Sequence, residues 1–314
     1  MNVLVLGGYG AVGGHVVRLL RTDGLSALAA GRDAGRADVV LDLTDLDGFE
    51  AALDNVAAVV NCAGAEDVRL AEACAGRRIP FLDISATSAY VQRLERVDGP
   101  VVLGVGLAPG LTTLLAADAL DSHRGPIDIM IGLGSGEQHG AAATAWTYSL
   151  LGQHFSDPDG TVVRNFSRPK RFEVPSESGY TPAAALRADF ADQHRLTREF
   201  GVPVRSYLRL DSRAATAGLA LLTRAPALRA LTPKHMPGSD KWVVLARPAH
   251  GPARWAAGRG QSVATAVVTA AAARTAVLRR ITSPAWIHEI LRIADLRDTL
   301  RDNGITLGVD NSPR

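Results

Sequence analysis

The chain has 314 residues, 34 Lys+Arg against 32 Asp+Glu for a formal net charge of +2, and 47% hydrophobic residues. With a mean hydropathy of +0.08, that balance excludes disorder, collagen-like repetition and a nucleic-acid partner held by a long basic block. Positive charge is nearly all arginine, since only Lys170, Lys234 and Lys241 are lysines.

Met1-Asn2 runs straight into Val3-Leu-Val-Leu6 with no basic lead or small-residue cleavage site. No signal peptide is therefore expected, and the expected location is cytoplasmic. From there to residue 105, short β-branched or Leu-rich runs alternate with helical patterns, as strands joined by crossover helices do. The strands read as 3–7, 27–31, 39–42, 57–62, 81–84 and 101–105, with helices near 11–22, 46–53, 67–75 and 87–97. Their apolar runs suit central strands covered on both faces. The expected fold class is α/β, a Rossmann doubly wound parallel sheet with a second α+β domain.

The longest uncharged stretch, 100–117, contains Gly-x-Gly and Pro-Gly, so it reads as strand, turn and helix start rather than a membrane span. A helix at 111–122, a strand at 127–133 and a helix at 141–153 follow. Asp157-Pro-Asp-Gly160 reads as a hairpin turn. Then come a strand at 204–210, a helix at 214–224, a mobile loop at 232–240, strands at 242–247 and 253–258, and helices at 261–281 and 284–303, the last stopped by Gly304. The pattern predicts a dinucleotide-binding domain over 1–123, an α+β domain over 124–262, and C-terminal helices over 263–314 that pack back on the first. Cys62 and Cys74 lack ligand spacing and read as buried free thiols, with neither a metal site nor a disulfide.

Gly8-Tyr-Gly10-Ala-Val-Gly13 follows a strand and opens a helix, the context in which Gly-x-Gly-x-x-Gly cradles a pyrophosphate. An NAD site wants a carboxylate at the end of the second strand; here Gly31-Arg32 stands there, which suits the 2′-phosphate of NADP(H). Asp33 is a candidate for a ribose hydroxyl. Asp42 is a candidate for the adenine amino group, with helix capping near Thr44 or Asp45 equally economical. Ligands of such sheets lie beyond the carboxyl ends of the strands, which gathers Asn61-Cys-Ala-Gly64, Asp83-Ile-Ser85 and Gly106–Gly110 in one crevice. Ala63 and Gly64 leave room for the nicotinamide there. Thr112 and Thr113 open a helix that either receives a substrate carboxylate or is simply capped.

Candidate proton donors are Asp83, His139, Tyr148 and His154, each with a structural alternative as a cap, a core residue or a backbone brace. Arg164, Arg168, Lys170 and Arg171, or Arg205 and Arg209, are candidates for binding a carboxylate, and a solvated basic hairpin explains the first four equally well.

The opening VLVLGGYGAVGGHVVRLL, AGR after the second strand, NCAG, FLDIS, GLAPGLTTLLA, and the late GRGQSVATAVV and LRDNGITL together resemble the saccharopine dehydrogenase/reductase-like proteins. The resemblance implies a Rossmann domain, a mixed second domain that forms a homodimer, and NADP(H)-linked chemistry on a secondary amine or imine of a small molecule. It carries the cofactor role to Gly8, Tyr9, Gly10, Ala11, Val12, Gly13, Arg32, Asp42, Ala63, Gly64, Asp83 and Ile84. Ala108 stands where saccharopine reductases proper tend to have Asp, which argues against the lysine-pathway substrate. Two other readings are a short-chain dehydrogenase or epimerase and a non-catalytic NADP-sensing protein. Against the former, no lysine has a Tyr four residues before it.

Overall fold

A computed structural model describes residues 2–136, 141–225 and 238–311. It divides into two compact units, residues 1–110 with 262–296, and residues 111–261 with 297–314.

In the first unit the chain order is β1 (Asn2–Leu6), α1 (Gly13–Thr22), β2 (Ser26–Gly31), β3 (Val39–Val40), α2 (Leu46–Ala51), β4 (Val56–Asn61), α3 (Val68–Gly76), β5 (Phe81–Asp83), α4 (Ser88–Leu94) and β6 (Val101–Leu103). The C-terminal part of the chain returns to it with α9 (Gln261–Leu278), β15 (Ala285–Trp286) and α10 (Ile287–Ile290). The strands form a seven-stranded parallel sheet in the order β15-β6-β5-β4-β1-β2-β3. Strands β1 to β6 thus take the Rossmann order, reversing direction of growth between β1 and β4. Val3, Leu4, Val5 and Leu6 are all at most 1% exposed, as expected of a central strand covered on both faces. Helix α9 is long and apolar enough by composition to span a membrane. Here it packs as a core helix: Ala266, Val267 and Val268 are buried, and Thr269 donates to the Val105 carbonyl at 2.7 Å.

The sequence reading of 284–303 as one helix is corrected. Trp286 N–H is capped by Glu289 and Arg292 N–H by Asp295, while Leu291 is extended between them. Two helix starts and a short strand therefore replace one amphipathic helix, the strand pairing with β6.

The second unit carries α5 (Leu111–Ser122), β7 (Ile127–Leu133), α6 (Ala141–Ser149), β8 (His154–Ser156), β9 (Val162–Arg164), β10 (Ser167–Phe172), β11 (Ala183–Arg187), α7 (Ala191–Phe200), β12 (Val204–Leu210), α8 (Arg213–Leu222), β13 (Lys241–Pro248), β14 (Ala253–Arg259) and β16 (Thr306–Asp310). Helix α11 (Ile293–Asp302) spans the division. A mixed seven-stranded sheet runs β10-β11-β12-β7-β13-β14-β16, with β12 and β7 parallel and the other pairs antiparallel, and β8 pairs β9 separately. Helix α5 packs on β7, β13 and β14, so it belongs to this unit rather than to the first domain as read from sequence. Likewise β16, unanticipated, ties 306–310 to β14 instead of to a C-terminal helical layer on the first unit. On the other face of this sheet, residues 173–182 cross as a strap. Val174 and Tyr180 pack with Met130, Val243, Leu245 and Trp255, and Tyr180 Oη donates to the Lys241 carbonyl at 2.7 Å.

Candidate functional site

The chain leaves β1 through Gly7 at φ +68°, and Gly10 N–H closes the turn on the Gly7 carbonyl at 2.8 Å. A Cβ on Gly8 would lie 2.5 Å from Ala29 Cα, and one on Gly13 would collide with the Gly7 carbonyl. Side chains at either position would push the turn off β2 or α1 off the turn. Gly10 differs, since a Cβ there would meet only the Gly7 oxygen, at 3.1 Å, within 4 Å. Helix α1 has no side-chain cap at Val12. The amides of Ala11, Val12 and Gly13 donate to no backbone carbonyl among the described residues. An uncapped helix N-terminus behind an open glycine fits a pyrophosphate, which would supply the missing acceptors and complement the dipole.

At the end of β2 the Tyr9 ring lies against Gly31, where a Cβ would be 2.6 Å from the ring, and Tyr9 Oη accepts the Asp33 N–H at 3.0 Å. Arg36, which the sequence reading passed over, stacks its guanidinium 4.5 Å above the Tyr9 ring and donates to the Tyr9 carbonyl at 2.8 Å. Its spacing four residues beyond Arg32 was the available signal. Arg32 is exposed and makes no hydrogen bond or ion pair among the described residues. Asp33 is exposed and accepts the Gly35 N–H at 2.9 Å. Asp42 accepts the Thr44 N–H and Oγ1 at 3.0 and 2.8 Å. These bonds, helped by the charge of Arg32, hold its carboxyl below the usual range. Asp45 is the side-chain cap of α2.

The ends of β4 and β5 are locked together. Asn61 Nδ2 donates to Asp83 Oδ2 at 2.7 Å and to the Ala65 carbonyl at 2.9 Å, and Ala63 N–H donates to Asn61 Oδ1 at 3.2 Å. Asp83 also accepts Ser85 N–H at 2.7 Å and Tyr90 Oη at 3.2 Å. Burial raises the Asp83 pKa despite these bonds, and it raises that of Tyr90 as well. Asp83 is 1% exposed. It therefore braces the loops that present Ala63, Gly64 and Ile84, and is not a solvent-facing acid. Ala63 and Gly64 are exposed and Ile84 is half-buried. A Cβ on Gly7 would lie 2.8 Å from Ala63 Cα, so the β1 and β4 loops meet over small residues only.

In the second unit, Tyr148 is half-buried on α6, and His154 is exposed on β8, its Nε2 receiving Arg164 Nε at 3.3 Å. His139, and residues 232–237 of the loop read from sequence, lie outside the described residues. Thr112 and Thr113 are fully buried and donate to Asp192 Oδ2 at 2.6 and 3.2 Å, so both hydroxyls are engaged inside the second unit. The basic hairpin is not a free cationic face. Lys170 pairs with Asp128, Arg171 with Glu173, and Arg168 and Arg205 flank Asp157. Positive φ at Phe166 and Arg168 breaks the alternation that would have put Arg164, Arg168 and Lys170 on one face.

Residues 3–79 match the model of the NAD dependent epimerase/dehydratase family. The fold is similar to that of C. glutamicum DAP dehydrogenase in complex with DAP, at 14% identity, covering 94% of this chain and 98% of that one with a TM-score of 0.50. Weaker likenesses include a protein from Magnetospirillum magnetotacticum MS-1 (15% identity, 81% and 76% covered, TM-score 0.39). Another is the WlbA (WbpB) dehydrogenase from Thermus thermophilus in complex with NAD and alpha-ketoglutarate (11%, 66% and 72%, 0.35). No curated protein matches the sequence. The match over the first strands and the shared fold are those of a Rossmann-type architecture.

Proposed function

We propose that the chain is an NADPH-dependent oxidoreductase that reduces a C=N or C=O bond of a small amine- or carboxylate-bearing metabolite, in keeping with its resemblance to the saccharopine dehydrogenase-like proteins. The observation that carries the cofactor half is the exposed Arg32, without a hydrogen bond or ion pair among the described residues, beside Gly31 and the Tyr9–Arg36 stack, where an NAD-selective carboxylate would otherwise stand. The amides opening α1 hold the pyrophosphate, Arg32 the 2′-phosphate, and Ala63 and Gly64 leave space for the nicotinamide. When bound, NADPH supplies the hydride. Asp83 is a positioning residue that keeps the β4 and β5 loops in register. The fold shared with C. glutamicum DAP dehydrogenase is in keeping with a dehydrogenase reaction for this chain. We infer in addition a cytoplasmic homodimer that acts on neither nucleic acid nor membrane, with sedimentation as the test of the dimer.

Fluorescence titration with NADPH and NADH tests the reading. NADPH binds tighter, and Arg32→Ala lowers its affinity by about tenfold or more, the worth of a charge-assisted hydrogen bond, leaving NADH unchanged. Equal affinities for the two cofactors in the unmodified protein would sink the Arg32 assignment. Tyr148→Phe is expected to lower kcat with NADPH affinity intact if that hydroxyl donates the proton, and unchanged kcat removes it from the mechanism. An epimerase-like or short-chain dehydrogenase reading has the 3–79 match in its favour, but the chain lacks the Tyr-x-x-x-Lys proton-transfer pair. Turnover on a panel of imines and ketones separates both enzyme readings from a non-catalytic NADP sensor.

A further inference from the structure

Three arginines of the second unit are almost completely buried: Arg187, Arg209 and Arg247, at 1%, 2% and 7% exposure. A buried guanidinium is costly without a counter-charge. Two of the three have one. Arg187 pairs with Asp157, and its Nη1 also donates to Gln193 Oε1 at 3.1 Å and to the Ser206 carbonyl. Arg247 Nη2 pairs with Asp310 at 2.5 Å.

Arg209 has no ion-pair partner among the described residues. Its Nη1 donates to the Thr181 carbonyl at 2.7 Å, its Nε makes a long bond to the Leu210 carbonyl at 3.5 Å, and its guanidinium lies 5.5 Å from the Tyr180 ring centre. Nη2 donates to no atom of the described residues. Asp211, the acidic residue whose charge acts on it, is committed elsewhere. It accepts Ser135 N–H and Oγ at 3.2 and 2.7 Å and Ser239 N–H and Oγ at 2.6 and 2.9 Å. Those bonds outweigh burial and keep it ionised.

We propose that Arg209 is the receptor for a carboxylate of a small-molecule ligand, which makes the substrate an organic acid or an amino acid. This deepens the oxidoreductase reading and, as a statement about substrate, rests on it. A guanidinium offers the same donors to a carboxylate and to a phosphate. Here a single nitrogen is open and the fixed negative charge of Asp211 lies two residues on along the chain. A carboxylate group, which brings one negative charge to the contact, is favoured there over a phosphate group, which brings up to two. Burial also depresses the Arg209 pKa, without neutralising a guanidinium, so the charge that needs a partner persists.

The test is calorimetric titration of the full chain with butyrate, glutarate, inorganic phosphate and cadaverine, the last having glutarate's chain length with opposite charge. Butyrate and glutarate are expected to bind at millimolar concentration or better, and phosphate and cadaverine not to. Arg209→Met should weaken glutarate about tenfold or more, and Arg209→Lys, which keeps the charge and loses the fork, by less. Glutarate affinity unchanged in both variants, phosphate binding as well as the carboxylates, or no carboxylate binding would each overturn the proposal. Should Arg209→Met fail to fold, Arg209→Lys still decides. NADPH titration of the same samples keeps the two readings apart. Carboxylate binding through Arg209 in a chain that ignores NADPH would reject the cofactor assignment while upholding the anion receptor.

Discussion

The two seven-stranded sheets handle polar groups in opposite ways. In the parallel sheet, the strands are mostly apolar and the chemistry sits past their carboxyl ends, in backbone amides, glycines and the Asn61–Asp83–Tyr90 brace. In the mixed sheet, charge lies on the strands themselves, with Arg187, Arg209 and Arg247 buried across one face. A site made of backbone is specified by where side chains are missing; a site made of buried charge is specified by which charges have partners.

Removing a partner tests that contrast most severely. Asp157→Ala leaves the Arg187 guanidinium buried beside Gln193 and the Ser206 carbonyl, and should cost about 3–5 kcal/mol in urea unfolding. A loss under about 1 kcal/mol, the range of an exposed pair, would show that the face is wetter than its burial implies. Next in size, Gly13→Ala drives a methyl into the Gly7 carbonyl. About 1–3 kcal/mol of stability should go, together with NADPH binding. Stability lost with cofactor affinity retained would break the link between that glycine and the pyrophosphate.

The smallest expected effect is a change of slope with pH. Burial holds the Asp192 carboxyl above the usual range, against the hydroxyls of Thr112 and Thr113 and the charge of His194. A raised folded-state pKa stabilises fully below the unfolded value and loses that contribution as pH rises through the folded one. Asp192→Asn should therefore flatten the fall in Tm on going from about pH 4 to neutrality. Asp83, raised in the same direction, leaves part of the slope in place. Parallel curves for variant and parent would mean that Asp192 ionises without cost.

How far each sheet could be read from sequence follows the same division. The first six strands and the glycine turn were legible because their signals are local: an apolar run, a Gly-x-Gly-x-x-Gly, a Gly-Arg at a strand end. Arg209 and the basic hairpin were visible as residues but not as a set with and without partners. Pairing Asp157 with Arg187, or Asp310 with Arg247, joins positions whose separation no spacing rule encodes. Within the brace, Asp83 was legible and Tyr90 was not, since a tyrosine on an amphipathic helix reads as core until its hydroxyl is placed. The misread 284–303 segment shows the remaining limit. Its apolar period suits a helix, and only the acidic residues at 289 and 295, each capping an amide three positions earlier, mark the breaks.

The return of 262–296 to the first unit also sets an order of assembly. During vectorial synthesis the outer edge of β6 emerges long before Ala285–Trp286, and the whole β7–β14 region is made in between. The nascent Rossmann sheet therefore waits with an open edge strand and without α9, a state prone to edge-to-edge association. Neither unit corresponds to one continuous stretch of the gene, so a single cut cannot release either one whole.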